Sequence, residues 1–350
     1  MGTHLERGTE AVVPAQRSEP DVPARPPARA RRRRSRGLTA LGLVLWATAF
    51  GTAVWLLGVP TNRGSVVGWA LLAVVASRLG DLRAGLRSAV VDFLPVFAAL
   101  AVYDLLRGRA DDLTSVAHVD PHLSFDRVLG LGLTPTERLQ DWLYDPGSPA
   151  WYDYATWAVH LSHFLVSTTL LVVLWRVGSP LFRRLLVGLL VLSYAALATY
   201  WAYPAVPPWL ASDQGHLREV DRVVHHVWTD AGVERAPTLL SARGSSGGRS
   251  GESPFSDPVA ALPSLHAAIP MLLVLTLRGV DRRLTAALAT YTLAMGVALV
   301  YGGEHYVFDV LVGWLYALIA VAAVGWLLPR SDRRRAARAA RTAEVAPAAH

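Results

Sequence analysis

Long apolar runs separated by polar connections account for most of the chain after residue 37. An apolar helix needs about 20 residues to cross the hydrocarbon core of a bilayer. The runs that approach or reach this length are 38–59, 65–79, 88–106, 153–175, 185–203, 261–277, 284–302 and 306–328. The pattern predicts an all-α integral membrane protein, with a helical bundle of about eight transmembrane spans and a six-span core.

Two of these runs differ from a simple membrane helix. The run at 65–79 is the shortest, so its length leaves open whether it crosses the bilayer fully. The run at 88–106 contains Asp92 and Pro95. Ionisable residues and prolines are tolerated at membrane depth where neighbouring helices satisfy the polar groups. We therefore expect 88–106 to pack inside the bundle.

Arginines mark alternate connections between the runs. Three connections carry them as Arg78, Arg83 and Arg87, as Arg176, Arg183 and Arg184, and as Arg278, Arg282 and Arg283. Positive charges are retained on the cytoplasmic side of a membrane. Together with the basic tails 1–36 and 329–350, they predict a plasma-membrane protein of bacterial type with both termini in the cytoplasm. The segments 107–152, 204–260 and 303–305 then lie on the outer face.

Composition supports this class of protein. The residues are 52% hydrophobic and only 17% charged, which is too apolar for an ordinary soluble domain. The net charge of +7 is concentrated in the two tails, so it gives no reason to expect a nucleic-acid partner. The absence of cysteine excludes disulfides and thiolate chemistry.

The chain divides into four parts by composition. Residues 1–36 lack apolar periodicity and predict a disordered basic tail, followed by an uncleaved anchor instead of a secretory signal. Residues 37–87 hold the first two spans, 88–328 form the membrane core, and 329–350 form a second basic tail.

The long outer loop 204–260 has two parts of different character. Its first part predicts an interfacial helix near 214–231, with an apolar side that carries Val220, Val223, Val224 and Val227. Its second part, 242–258, is rich in glycine and serine and predicts a flexible linker.

Residues that are candidates for catalysis lie at the ends of the last three apolar runs. His305 and Asp309 are four residues apart, so on a helix they would share one face, and the carboxylate would orient the imidazole as a nucleophile. His266 follows Ser264 at a predicted helix start, where free backbone N–H groups and a hydroxyl can hold a phosphate. Such a set can transfer a phosphoryl group without a metal.

A structural role is the alternative for each of these residues. A single His-x-x-x-Asp pattern is common on helices and has low specificity. His160 and His163 lie on one helical period within a span, and we expect them to face the bundle, since no carboxylate or third histidine has the spacing of a metal site.

Three ordered motifs resemble one known family. Pro263-Ser-Leu-His266 and His305-x-x-x-Asp309 resemble the second and third signature motifs of the type 2 phosphatidic acid phosphatase superfamily. Ala205-Val-Pro-Pro-Trp209 resembles the first motif of its inositol phosphorylceramide synthase-like branch, the aureobasidin targets. The resemblance implies a catalytic six-span core at about 90–328, a lipid phosphoester substrate, a phosphohistidine intermediate and no cofactor.

The resemblance leaves the phosphate-binding cation and the acceptor open. The superfamily's Lys and Arg-Pro pair are absent from the first motif, and Leu299 stands where an arginine is usual. Arg107 is one candidate for the cation, with a structural arginine as the alternative, and Trp209 is a candidate for excluding water. An alcohol acceptor such as inositol would make the protein a transferase, and water would make it a phosphatase. A non-catalytic transporter or scaffold is the remaining alternative. The sequence does not predict an oligomeric state.

Overall fold

The computed structural model describes residues 28–57, 63–110, 116–230 and 259–345. These residues form helices joined by turns and a few isolated bridges. In chain order the helices are α1 (Ala28–Leu57), α2 (Arg63–Ala76), α3 (Leu82–Ser88), a π-helical segment (Ala89–Phe93), α4 (Leu94–Ala110), α5 (His122–Leu129), α6 (Pro135–Leu143), α7 (Trp151–Arg176), α8 (Pro180–Ala202), α9 (Pro208–Asp213), α10 (Val223–Asp230), α11 (Leu265–Leu277), α12 (Arg282–Tyr301) and α13 (Val307–Val345).

Six helical stretches in the described part of the chain are long and apolar enough to cross a membrane. They are Gly37–Leu56, Leu82–Ala110, Trp151–Arg176, Pro180–Ala202, Arg282–Tyr301 and Val307–Pro329. The predicted all-α membrane architecture is confirmed. Two of the predicted runs form shorter helices, since α2 has 14 residues and α11 has 13. At 1.5 Å per residue each spans about 20 Å, less than the hydrocarbon core of a bilayer.

The run predicted at 88–106 is part of a longer, irregular helix. It begins at Leu82 and passes through the π-helical segment before α4. Pro95 has no N–H to donate back into the preceding turn, which accounts for the local change in hydrogen bonding. The carboxylate of Asp92 accepts a hydrogen bond from the Trp175 indole at 3.0 Å, so its polar group is satisfied within the bundle.

Both predicted tails are partly helical. Helix α1 already includes residues 28–36, which the sequence predicted as disordered, and residues 1–27 lie outside the described residues. Helix α13 continues through Pro329 to Val345. The predicted linker at 242–258 also lies outside the described residues.

Helix α11 lies at the centre of the bundle and packs against α7, α8, α12 and α13. The main buried cluster consists of Leu185, Leu192, Ala268, Leu272, Leu273, Leu277, Leu288, Ala317 and Ala320. Lipid tails are as apolar as leucine, so close side-chain packing is the main attraction between these helices. Four surrounding helices therefore hold the short α11 in place.

Short helices and extended segments cover one end of the bundle, which we call the site end because α11 and α13 begin there. Two extended segments pair with the chain at 204–206. The Val206 N–H donates to the His118 carbonyl and the Ala205 N–H donates to the Val259 carbonyl, both at 3.0 Å. The Ala261 N–H donates to the Ala205 carbonyl at 3.3 Å. These bonds fix the backbone of Ala261.

The helix predicted near 214–231 is shorter than expected. It forms α10 only, and the side chains of Val223 and Val227 are fully buried. They pack with Tyr301 at the end of α12. Val223 and Val227 of this helix therefore pack against protein at the site end, and its predicted contact with the membrane surface stays a prediction.

Candidate active site

His266 lies in the first turn of α11, and Ser264 is the N-cap of that helix. The Ser264 hydroxyl oxygen accepts a hydrogen bond from the Ala267 N–H at 3.3 Å, and the Ser264 N–H donates to the Asp309 carbonyl at 3.2 Å. A Cβ on Gly313 would lie 2.5 Å from the Ser264 carbonyl oxygen, so a glycine is required where α13 meets this cap. Ser264 is fully buried and joins α11 to α13. Its predicted phosphate contact stays a prediction.

A tight turn carries the chain from α12 to His305. Gly303 has a φ of +73°, and an added Cβ would lie 2.7 Å from the Asp221 carbonyl oxygen, so only glycine fits without strain. The turn leaves His305 buried, with its Nδ1 at 3.0 Å from the Ala261 carbonyl oxygen. A carbonyl can only accept, so this bond places the ring proton on Nδ1 and leaves the Nε2 lone pair available.

Asp309 lies in the first turn of α13, whereas His305 precedes that helix. The two residues therefore do not share one helical face, as their spacing predicted. The turn nevertheless brings an Asp309 carboxylate oxygen to 3.6 Å from His305 Nδ1. The same oxygen accepts a hydrogen bond from the Tyr306 N–H at 2.9 Å. Asp309 thus caps the start of α13 and supplies a negative charge beside the ring.

The structure brings His266 and His305 together although 38 residues separate them in the chain. Their ring centroids are 6.0 Å apart. His160 and His163 of α7 also contact His266, with centroid distances of 4.6 and 4.7 Å. The predicted bundle-facing position of this pair is confirmed. Both rings pack directly on His266, which the sequence did not indicate.

Arg107 and Trp209 approach the histidines from different elements. Arg107 lies in the last turn of α4, where the nearby Ala110 packs with Val259 and Ala260 at the site end. Trp209 lies in α9, and its backbone N–H donates to the carbonyl of Gly303, two residues before His305, at 3.1 Å. Both residues thus lie at the site end of the bundle, as the histidine pair does. Their predicted roles in binding phosphate and excluding water stay predictions.

Asp126 is a polar residue at the site that the sequence analysis did not single out. Its carboxylate, on α5, accepts hydrogen bonds from the N–H groups of Val307 at 2.8 Å and Phe308 at 3.1 Å. These are otherwise unpaired donors at the start of α13. Burial raises the pKa of Asp126 to about 6, although the two hydrogen bonds act in the opposite direction. Because the partners are 181 positions apart in the chain, no local pattern could have indicated this cap.

Arg222 and Glu304 form a second polar contact that the sequence analysis did not identify. The guanidinium lies 3.1 to 3.3 Å from the Glu304 carboxylate oxygens and bonds to both of them. The guanidinium carbon also lies 4.5 Å from the ring centroid of Trp209. Glu304 immediately precedes His305. The residue directly before the candidate nucleophile is therefore paired with a cation.

The bundle defines an all-α protein with helices that can cross a membrane, and two histidines from different helical regions meet at its site end. The chain belongs to the PAP2 superfamily, whose family model matches residues 123–323. This match includes the histidine motifs and excludes α1 to α4. Comparison with curated proteins and with solved structures gave no match. Membership in this superfamily supports an activity on lipid phosphoesters in a bilayer.

Proposed function

We propose that the protein transfers a phosphoryl-containing group from a lipid phosphoester to an alcohol through a phosphohistidine at His305. The convergence of His266 and His305 at 6.0 Å, with His305 Nδ1 hydrogen-bonded to Ala261, is the observation that carries this proposal. A nucleophile and a proton donor within reach of one phosphoester are what two-step phosphoryl transfer requires.

In the first step, Nε2 of His305 attacks the phosphorus atom. A bond forms between Nε2 and phosphorus as the bond between phosphorus and the departing oxygen breaks. His266 donates a proton to that oxygen, which leaves as an alcohol. The positive charge that develops on the His305 ring faces the Asp309 carboxylate, 3.6 Å from Nδ1.

In the second step, His266 acts as a base. It removes a proton from the acceptor hydroxyl, whose oxygen then attacks the phosphohistidine. The bond between Nε2 and phosphorus breaks, and His305 returns to its starting form with the proton still on Nδ1. His266 ends the cycle protonated, as it began, so the two steps balance.

An alcohol acceptor is favoured over water by the resemblance of 205–209 to the first motif of the synthase-like branch. We assign to Trp209, whose backbone N–H donates to the Gly303 carbonyl, the role of limiting the access of water to the intermediate. Water is abundant, so we expect some hydrolysis even from a transferase. A lipid phosphate phosphatase remains the second candidate, and it uses the same residues.

The experiment measures how the products divide between transfer and hydrolysis. Purified protein is incubated with a panel of phospholipids and rising concentrations of inositol or other alcohols, and products are identified by mass. We expect the transfer product to grow at the expense of the hydrolysis product. The variant His305→Ala, prepared in parallel, should give neither product. Full-rate hydrolysis that no alcohol diverts would show that the protein is a plain phosphatase.

A further inference from the structure

The ion pair between Arg222 and Glu304 lies beside the proposed nucleophile, and the proposed mechanism gives it no role. The two side chains are 16% and 12% exposed, so the pair is mostly buried but remains partly accessible to solvent. Both Arg222 nitrogens that contact Glu304 do so within 3.3 Å. Arg222 thus presents a planar pair of donors to two oxygens, which is also the arrangement in which a guanidinium binds a phosphate.

The indole of Trp209 holds the guanidinium plane in position. The guanidinium carbon lies 4.5 Å from the indole centroid, within the range of a cation–π contact. The backbone of Trp209 is in turn bonded to Gly303, next to Glu304. A guanidinium held in this way loses little further freedom when it exchanges one oxyanion for another.

The pair is also linked to the histidine cluster through the chain. Glu304 directly precedes His305, whose ring centroid lies 6.0 Å from that of His266. The ring of His160 contacts His266 at a centroid distance of 4.6 Å. The turn that carries Glu304 therefore also carries a member of the histidine cluster.

We propose that Arg222 binds the reacting phosphate. In the absence of phosphate, the Glu304 carboxylate orients the Arg222 guanidinium, and the phosphate then displaces that carboxylate. This inference rests on the proposed function of the site. A phosphate carries more charge and more acceptor oxygens than one carboxylate, so it competes for the same donors. Arg222 thereby takes the place of the cations that are absent from the motifs at 205–209 and at Leu299.

The test compares variants that change each half of the pair. Arg222→Gln removes the cation, and Glu304→Gln removes the competing anion while keeping a similar shape. Arg218→Gln is the matched control, because it removes an arginine whose exposed side chain lies four residues away. Binding of inorganic phosphate is measured by calorimetry, and KM and kcat are measured with a lipid phosphate.

Opposite changes in the two variants are the expected result. Arg222→Gln should weaken phosphate binding and raise KM by about 10- to 100-fold. This is the loss of affinity expected when a charge-assisted hydrogen bond is removed. Glu304→Gln should tighten phosphate binding several-fold, and Arg218→Gln should leave it unchanged. Arg222→Lys should restore only part of the loss, because an ammonium cannot bind two oxygens in the same plane.

A purely structural pair would behave differently. If the pair only joins the 303–305 turn to the segment before α10, both variants should weaken phosphate binding and lower the melting temperature alike, and the inference is then wrong. Unchanged phosphate binding in Arg222→Gln would also overturn it, even while the wild-type protein turns over lipid phosphate. A wild-type protein that neither binds phosphate nor acts on any lipid phosphate would instead refute the proposed function itself.

Discussion

Nδ1 of His305 is bonded to the carbonyl oxygen of Ala261 at 3.0 Å, and the Asp309 carboxylate is farther from that nitrogen, at 3.6 Å. The backbone carbonyl therefore sets the tautomer, and Asp309 contributes its charge and the cap on α13. These two contributions can be separated, because an amide side chain can accept the same backbone hydrogen bond without carrying a charge.

We predict that Asp309→Asn lowers kcat by about 10- to 100-fold with little change in melting temperature, because the imidazole loses the facing charge as it becomes positive in the transition state. The Asn oxygen can still accept the Tyr306 N–H. Asp281→Asn is the matched control, since Asp281 caps α12 through the Leu284 N–H at 2.9 Å. Wild-type turnover in Asp309→Asn would mean that Asp309 acts only as a cap.

The two histidines should respond differently to the leaving group. A good leaving group departs without a proton, so an activated aryl phosphate should partly rescue His266→Ala and should not rescue His305→Ala. Turnover of lipid and aryl phosphates is measured for both variants, together with covalent incorporation of labelled phosphate. If the aryl phosphate rescues both variants equally, or rescues neither, the assignment of His305 as nucleophile and His266 as acid is wrong.

Asp126 should make stability depend on pH. Burial raises its pKa from 3.8 to about 6, so the folded protein binds this proton more tightly than the unfolded chain does. Its stabilising contribution is therefore complete below about pH 4 and is lost as the pH rises through about 6. The Asn side chain does not titrate, so the melting temperature of wild type minus that of Asp126→Asn should fall across this interval and then level off.

The control for this prediction is Asp141→Asn, which removes an exposed carboxylate from the neighbouring helix α6. It corrects for the general effect of losing one negative charge. A melting-temperature difference between wild type and Asp126→Asn that stays constant from pH 4 to pH 7 would contradict the assignment of the raised pKa to Asp126.

The distribution of arginines predicts which end of the bundle faces outward. A cysteine introduced at Ser246, in a chain that has none, should react with an impermeant reagent on intact cells. A cysteine at Gly279, where the structure leaves open space, should react only after lysis. The reverse pattern would place the histidines on the cytoplasmic side.

The sequence indicated the reactive side chains of the site more readily than their partners. His266, His305 and Asp309 stand in short motifs whose residue types and spacing are visible in the chain. The Ala261 carbonyl, by contrast, is a backbone group that any residue would supply, so no side chain indicates it. Arg222 gave no signal either, because one arginine in a long polar connection is ordinary.

What the sequence determined by itself was the membrane class, most of the spans and the order of the motifs. These follow from local properties, since the length of an apolar run decides whether a helix can cross a bilayer. Only the tertiary structure decided that α11 is a short central helix, that Asp126 caps α13 from α5, and that Arg222 faces Glu304. Each of these contacts joins segments far apart in the chain. Which groups meet depends on how the helices pack and where the turns direct the backbone, and no local pattern of residues carries that information.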